Sequence, residues 1–251
     1  MRIAVFADVH GNMYAFEKIL EALKKERADL HIFCGDICGY YYQQDEVIQA
    51  LRQMRNLVSV VGNHDEIFLR MLEDTRLEEE YTKQYGRSCS LFKESAALES
   101  VTFLKELPKK YIIEEYAVAV FHGSPWDYCN EYVYPDGALD RFRELPYRFV
   151  LLGHTHYPMD RIAGGVRIIN PGSCGQPRDM HIPSYAVLDI DSGEVISRRV
   201  PYNTEYLKND VRRYKEDNLY LEEILTRGEG CYEQANCTSH RNRRGYRPER
   251  T

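Results

Sequence analysis

Five short polar stretches carry the residue types that bind divalent cations. They are Asp8-Val9-His10, Gly35-Asp36, Gly62-Asn63-His64-Asp65, His122-Gly123 and Gly153-His154-Thr155-His156. Five of the eight histidines of the chain lie in them. Mixed carboxylate and imidazole donors suit ions such as Mn, Fe, Zn, Ni or Co, with Mn the first expectation. Two such ions about 3.5–4 Å apart clamp a phosphoryl group and generate hydroxide near neutral pH.

Spacing suggests a division of labour. Asp36 stands alone between two better-furnished stretches and is the natural bridge between the ions. Asp8 and His10 are two residues apart and can bite one ion together. His154 and His156 have the same spacing, and on a turn their rings can splay toward different ions. Asn63 offers a neutral carbonyl oxygen, which adds no negative charge beside a phosphate. Each piece alone is weak: a Gly-Asp after a strand is commonly a turn, and a lone histidine such as His122 is commonly a hydrogen-bonded core residue. Their joint occurrence in this order is the signal.

The elements that must position these residues are readable from hydrophobic pattern. Arg2–Ala7, Leu30–Cys34 and Leu57–Val61 read as buried strands, separated by helices with Phe16, Ile19, Leu20 and Leu23, then Val47, Ile48, Leu51 and Met54, at helical spacing. This alternation predicts an α/β domain with a largely parallel sheet at its start. Residues 66–108 read as a helical insertion lying over the sheet edge. Strands return at Tyr116–Phe121 and Arg148–Leu152. After them Val166–Ile169, Tyr185–Asp189 and Val195–Val200 are expected to be antiparallel and to form a second sheet, with a turn at Asp191-Ser192-Gly193. Each of the five polar stretches thus ends a strand, and in an open α/β sheet ligands bind outside the carboxyl ends of strands. Leu207–Leu225 reads as one closing helix. The domain is expected to span 1–226. Residues 227–251 hold six arginines and read as a disordered or loosely attached basic tail, the alternative being an arm that touches an acidic partner.

Composition bounds the rest. The chain has 251 residues, 43% hydrophobic and 29% charged, as expected of a soluble globular protein. A net charge of −6 gives no general attraction to nucleic acid or to an anionic membrane. No apolar run approaches the roughly 18 residues of a spanning helix, and none reads as a signal peptide. Seven cysteines without a CxxC pair indicate neither a disulfide framework nor a cysteine zinc site, so a cytoplasmic location is expected. Cys34 and Cys38 flank Asp36; they are either soft ligands or, for Cys34 especially, small apolar filler.

The order Asp8-x-His10, Gly35-Asp36, Gly62-Asn63-His64-Asp65, His122, Gly153-His154-x-His156 resembles the calcineurin-like metallophosphoesterase superfamily, and most nearly its small bacterial and archaeal phosphodiesterase-like branch. Gly35-Asp36-Ile37-Cys38-Gly39-Tyr40, and Asn170-Pro171-Gly172-Ser173 with Arg178 beyond it, are similar to that branch as well. The resemblance implies a four-layer α/β/β/α sandwich of two mixed sheets flanked by helices. It assigns Asp8, His10, Asp36 and His156 to one metal, and Asp36, Asn63, His122 and His154 to a second. His64 is then not a ligand: it faces the phosphate and either protonates the leaving oxygen or stabilises developing charge. Asp65 either orients the ring of His64 or caps the following helix. Arg178 joins Asn63 and His64 as an expected substrate contact. The Asp-Arg-Gly that follows the bridging aspartate in the superfamily's Ser/Thr protein phosphatases is absent after Asp36, which disfavours that activity.

The implied reaction is hydrolysis of a phosphodiester or phosphomonoester by metal-bound hydroxide. The alternative is a metal-binding scaffold: the retromer scaffold subunit resembles this fold, serves as an interaction platform and lacks a counterpart of His64. The expected partner is a small phosphorylated molecule. Trp126 and Tyr128 suggest a nucleotide, through stacking on its base, unless Trp126 is only local packing after Pro125.

Overall fold

The computed structural model describes residues 1–216 and 218–228. In chain order the elements are β1 (Arg2–Phe6), α1 (Met13–Glu26), β2 (Leu30–Phe33), α2 (Gln44–Gln53) and β3 (Leu57–Ser59). Four helices follow: α3 (Asn63–Met71), α4 (Thr75–Tyr85), α5 (Ser88–Ser95) and α6 (Leu98–Glu106). Then come β4 (Lys110–Ile113), β5 (Val118–Phe121), β6 (Phe149–Leu151), β7 (Pro158–Ala163), β8 (Val166–Pro171), β9 (Ser184–Asp189) and β10 (Val195–Arg199). Helices α7 (Glu205–Arg213) and α8 (Tyr220–Glu223) close the described chain.

Two mixed five-stranded sheets result, ordered β10-β9-β1-β2-β3 and β4-β5-β6-β8-β7. Each has a parallel trio: β1, β2 and β3 in the first, β5, β6 and β8 in the second. Side-chain alternation along the strands sorts the core into layers. Ile3, Val5, Ile32, Val118, Val120, Phe149, Leu151 and Leu188 meet between the sheets. Ala4, Phe6 and Phe33 point the other way, against Phe16 and Ile19 of α1 and Val47, Ile48 and Leu51 of α2. Burying each such large side chain stabilises the fold by about 1.5–3 kcal/mol. The insertion helices join this layer through Phe68, Met71, Tyr81, Phe92 and Leu104, with the Phe68 and Phe92 rings stacked at 4.6 Å. The outer face of the second sheet is covered more thinly, by Leu139 and by Phe142 of a 3-10 turn at Asp140–Glu144.

Several expectations need correction. The hairpin β9–β10 pairs antiparallel with β1 in the first sheet rather than building the second. Its turn chemistry sets the hairpin but not the edge it docks on. β9 is buried along five of its six residues, as a central strand must be. The strand expected from Tyr116 begins at Val118, because Glu114–Tyr116 form a 3-10 turn and Ala117 is left-handed (φ +50°). β4 and β7 were not expected at all. Both are edge strands, and half-exposed edges carry a weak apolar signal. The closing helix is broken into α7 and α8, with Lys215 left-handed between them (φ +52°). Of the expected tail, 229–251 lie outside the described residues. Its first residue is packed: Arg227 donates to the Arg178 carbonyl and its own carbonyl accepts from the His181 backbone.

Candidate metal centre

The parallel trios present their carboxyl ends on one rim, and the five polar stretches lie there. Their backbone is unusual before any side chain is considered. Asp8 (φ +55°), His10 (+50°), Asp36 (+65°), His154 (+68°) and His156 (+62°) all occupy the left-handed region. Non-glycine residues rarely adopt it, and such strain concentrates at functional sites. Gly62 is required for closeness rather than φ: a Cβ there would lie 2.0 Å from Asp36 Oδ1.

Three rings are oriented by backbone carbonyls. His10 Nδ1 is 2.7 Å from the Cys38 oxygen, His122 Nδ1 2.7 Å from the Cys34 oxygen, and His156 Nδ1 2.6 Å from the Gln176 oxygen. A carbonyl only accepts, so each neutral ring keeps its proton on Nδ1 and offers a lone pair at Nε2. Those lone pairs converge. His10 Nε2 and His156 Nε2 are 3.0 Å apart, and His122 Nε2 is 3.0 Å from Asn63 Oδ1 and 3.2 Å from Asp36 Oδ2. His154 is turned the other way, its Nε2 3.1 Å from the Asn130 carbonyl, so Nδ1 is the atom left for the site. Asp8 Oδ2 is buried without a hydrogen bond. Acceptors facing acceptors, as at His10 and His156, and a buried carboxylate oxygen without a donor are unfavourable unless cations lie between them.

Electrostatics agree. Burial depresses His10 and His154 to about 3 and takes His156 well below the imidazole range. Burial also opposes a charge on His122, but Asp36 and then Asp8 outweigh it and raise the ring to about 9. Burial, with Asp36 beside it, raises Asp8 to about 8. In the metal-free chain a second proton on His122, at Nε2 beside Asp36 Oδ2, and a proton that neutralises Asp8 stand where cations would otherwise be. The donors fall into two groups that share Asp36: Asp8, His10, Asp36 and His156, and Asp36, His122 and His154, each with its ligand atoms within 4.8 Å of one another. Asn63 joins the second group through His122. The residue types and their convergence fit divalent cations.

His64 lies beside both groups. Its backbone N–H donates to Asp36 Oδ1 (2.9 Å), and its ring centroid is 5.0 Å from that of His10. Burial lowers the imidazole to about 4, so it is neutral at pH 7. Its Nδ1 meets the hydroxyl of Tyr81 at 2.5 Å, and Tyr40 and Tyr85 flank the ring. Asp65 does not orient this ring. Its Oδ1 accepts from the N–H groups of Ile37 (2.9 Å) and Cys38 (2.8 Å), and its Oδ2 from those of Asp36 and Gly62 (both 3.0 Å). It therefore caps α3, the second of its two expected roles, and also pins the loop that carries Asp36. Arg178 reaches the rim, with Nη2 donating to the Tyr40 hydroxyl (3.2 Å) while its buried Nε lacks a partner.

The aromatic expectation is redirected. Trp126 carries the Arg141 guanidinium over its face at 3.8 Å and Phe142 at its edge, and Tyr128 stacks on Phe121. The rings that border the metal groups are Tyr40, Tyr85 and Tyr132, the last with its centroid 3.9 Å from that of His154. Tyr40 ends the Gly35–Tyr40 stretch that shares in the family resemblance, but nothing local distinguishes Tyr85 and Tyr132 among 20 tyrosines. Cys34 and Cys38 are buried and free, and they serve the site through their carbonyls rather than their thiols.

A two-sheet α/β sandwich with an Asp/His cluster on its rim defines the metallophosphoesterase class. The pattern of the calcineurin-like phosphoesterase superfamily domain matches residues 1–193, and the chain belongs to this superfamily. It is 32% identical to the uncharacterized protein MJ0912 of Methanocaldococcus jannaschii, across 87% of this chain and 97% of that one. It is 26% identical to the probable metallophosphoesterase MJ0623 of the same organism, across 71% and 70% of the two chains. Its fold is similar to the crystal structure of a metallophosphoesterase from Sphaerobacter thermophilus, with a TM-score of 0.77 at 26% identity, covering 90% of this chain and 98% of that one.

Proposed function

We propose that this chain is a dinuclear metal-dependent, phosphodiesterase-like hydrolase that cleaves phosphodiester or phosphomonoester bonds. When bound, a pair of divalent ions polarises the phosphoryl oxygens and lowers the pKa of a water that attacks phosphorus. Asp8, His10, Asp36 and His156 would hold one ion, and Asp36, Asn63, His122 and His154 the other. Mn is the first expectation, with Fe, Zn, Ni and Co as alternatives. Arg178 neutralises charge on the bound phosphate. His64 hydrogen-bonds the ester at the leaving oxygen.

The observation that carries an enzyme over a scaffold is His64. Its Nδ1 is held by Tyr81, and among the described residues Nε2 has no hydrogen-bond partner, although the ring is 5% exposed beside the metal groups. A scaffold has no use for a histidine so placed.

The substrate proposed is small and nucleotide-like. Support comes from the partly exposed Tyr85 and Tyr132 at the rim and from Arg178, which has no carboxylate within salt-bridge distance among the described residues. Flat rings beside a cation suit an aromatic group attached to a phosphate. Among the described residues no helix is long and apolar enough to cross a membrane. A reducing cytoplasm is proposed as the location, supported by buried free thiols at Cys34, Cys38, Cys89, Cys129 and Cys174.

The test is turnover of bis-p-nitrophenyl phosphate and p-nitrophenyl phosphate with Mn, Ni, Co, Fe or Zn, followed by nucleotides, cyclic nucleotides, dinucleoside polyphosphates and alkyl phosphates. Aryl and nucleoside esters should outpace alkyl ones. No turnover with any metal, in protein carrying two ions per chain, would leave the scaffold reading in its place.

A further inference from the structure

We infer that Tyr81, supplied by the helical insertion, is a positioning residue that fixes His64 as a hydrogen-bond donor at Nε2. The inference rests on the hydrolase reading for its kinetic consequence, but not for its structural one.

Tyr81 is 3% exposed and lies on α4, 17 residues beyond His64 and outside every strand-end motif. Its hydroxyl meets His64 Nδ1 at 2.5 Å. A neutral imidazole has one donor and one acceptor nitrogen, and the partner of one nitrogen decides the state of the other. A phenol O–H is a stronger acid than the N–H of a neutral imidazole, so O–H to N is the favoured direction.

The surrounding backbone is shaped around this contact. Gly39 is left-handed (φ +97°), and a Cβ there would lie 2.8 Å from both His64 Nδ1 and the Tyr81 hydroxyl oxygen. Only glycine leaves room for the pair. With Nδ1 accepting, Nε2 carries the proton toward the metal groups. His64 then donates to an ester oxygen while neutral, and its part is stabilisation of charge on that oxygen.

The experiment is Tyr81→Phe, which removes one oxygen and keeps the ring in its packing. In the zinc-loaded wild type, ¹⁵N–¹H NMR of the imidazoles should give His64 a protonated Nε2 and an accepting Nδ1. In the variant that single-tautomer signature should blur. With two metals retained, kcat should fall by up to about 10²-fold, the lower end of what a positioned proton donor contributes, with KM within about twofold. Gly39→Ala should perturb the same His64 signals. A wild-type His64 protonated at Nδ1, or a folded Tyr81→Phe with an unchanged His64 tautomer, would overturn the inference. Should the wild type prove inactive on every ester, the NMR arm alone decides it, and only the hydrolase reading is lost.

Discussion

His10 and His156 present their Nε2 atoms to each other at 3.0 Å, each with Nδ1 turned to a backbone carbonyl. Two lone pairs at hydrogen-bond distance repel when nothing lies between them. The two residues are 146 apart in sequence, and carbonyls from two separate loops hold their rings in this opposition. The arrangement is that of a ligand pair prepared for a cation.

Metal loading should therefore release protons. His122, raised to about 9, and Asp8, raised to about 8, are protonated in the metal-free chain at pH 7 and must lose those protons to ligate. His10 and His154, depressed to about 3, are already neutral and contribute none. Affinity for Zn should rise from pH 6 to pH 9, as measured by chelator competition, with proton uptake by the buffer seen in calorimetry. A flat profile would contradict protonation of His122 and Asp8 in the metal-free chain.

Asp36→Asn should weaken both sites together, because Asp36 belongs to both donor groups. A loss of at least about 10–100-fold in affinity is expected, since even removing a partner of a metal ligand costs that much. Elemental analysis after dialysis measures it. Retention of one tightly held ion per chain would refute the shared role.

His64→Ala should leave two metals in place and lower kcat by about 10²–10⁴-fold. The ring hydrogen-bonds Tyr81 and has no place in either donor group. Metal content falling in parallel with activity would make His64 a ligand.

Asp65→Asn should be a stability variant. The carboxylate accepts four backbone N–H groups, two on each oxygen, and an asparagine NH₂ would face one of those pairs with donors against donors. Hydrogen bonds to charged groups contribute about 1.5–3 kcal/mol each, so a loss of about 3 kcal/mol or more is expected in urea unfolding of the metal-free protein. An unchanged midpoint would remove Asp65 from its role as a clamp.

Asp8, His10, Asp36, Asn63, His122, His154 and His156 were legible because each breaks an apolar run. A strand's carboxyl end is a local property, and parallel strands bring such ends to one rim whichever sheet they join. The motifs along the chain were therefore enough for the family and for the candidate ligands, while their grouping about Asp36 came from the family resemblance. Docking of the β9–β10 hairpin against β1 was not legible, since a hairpin's own pattern is satisfied at any free edge. Nor was the duty of Asp65, which depends on four N–H groups, three of them from a loop about 28 residues earlier. Tyr81 and Tyr132 look like any buried or surface tyrosine until α4 and the loop after β5 are packed against the rim. Tertiary structure alone decided which nitrogen of each histidine faces the site, because that choice belongs to carbonyls and a phenol brought in by packing. The candidate ligands are written along the chain; their orientation comes from groups distant along it.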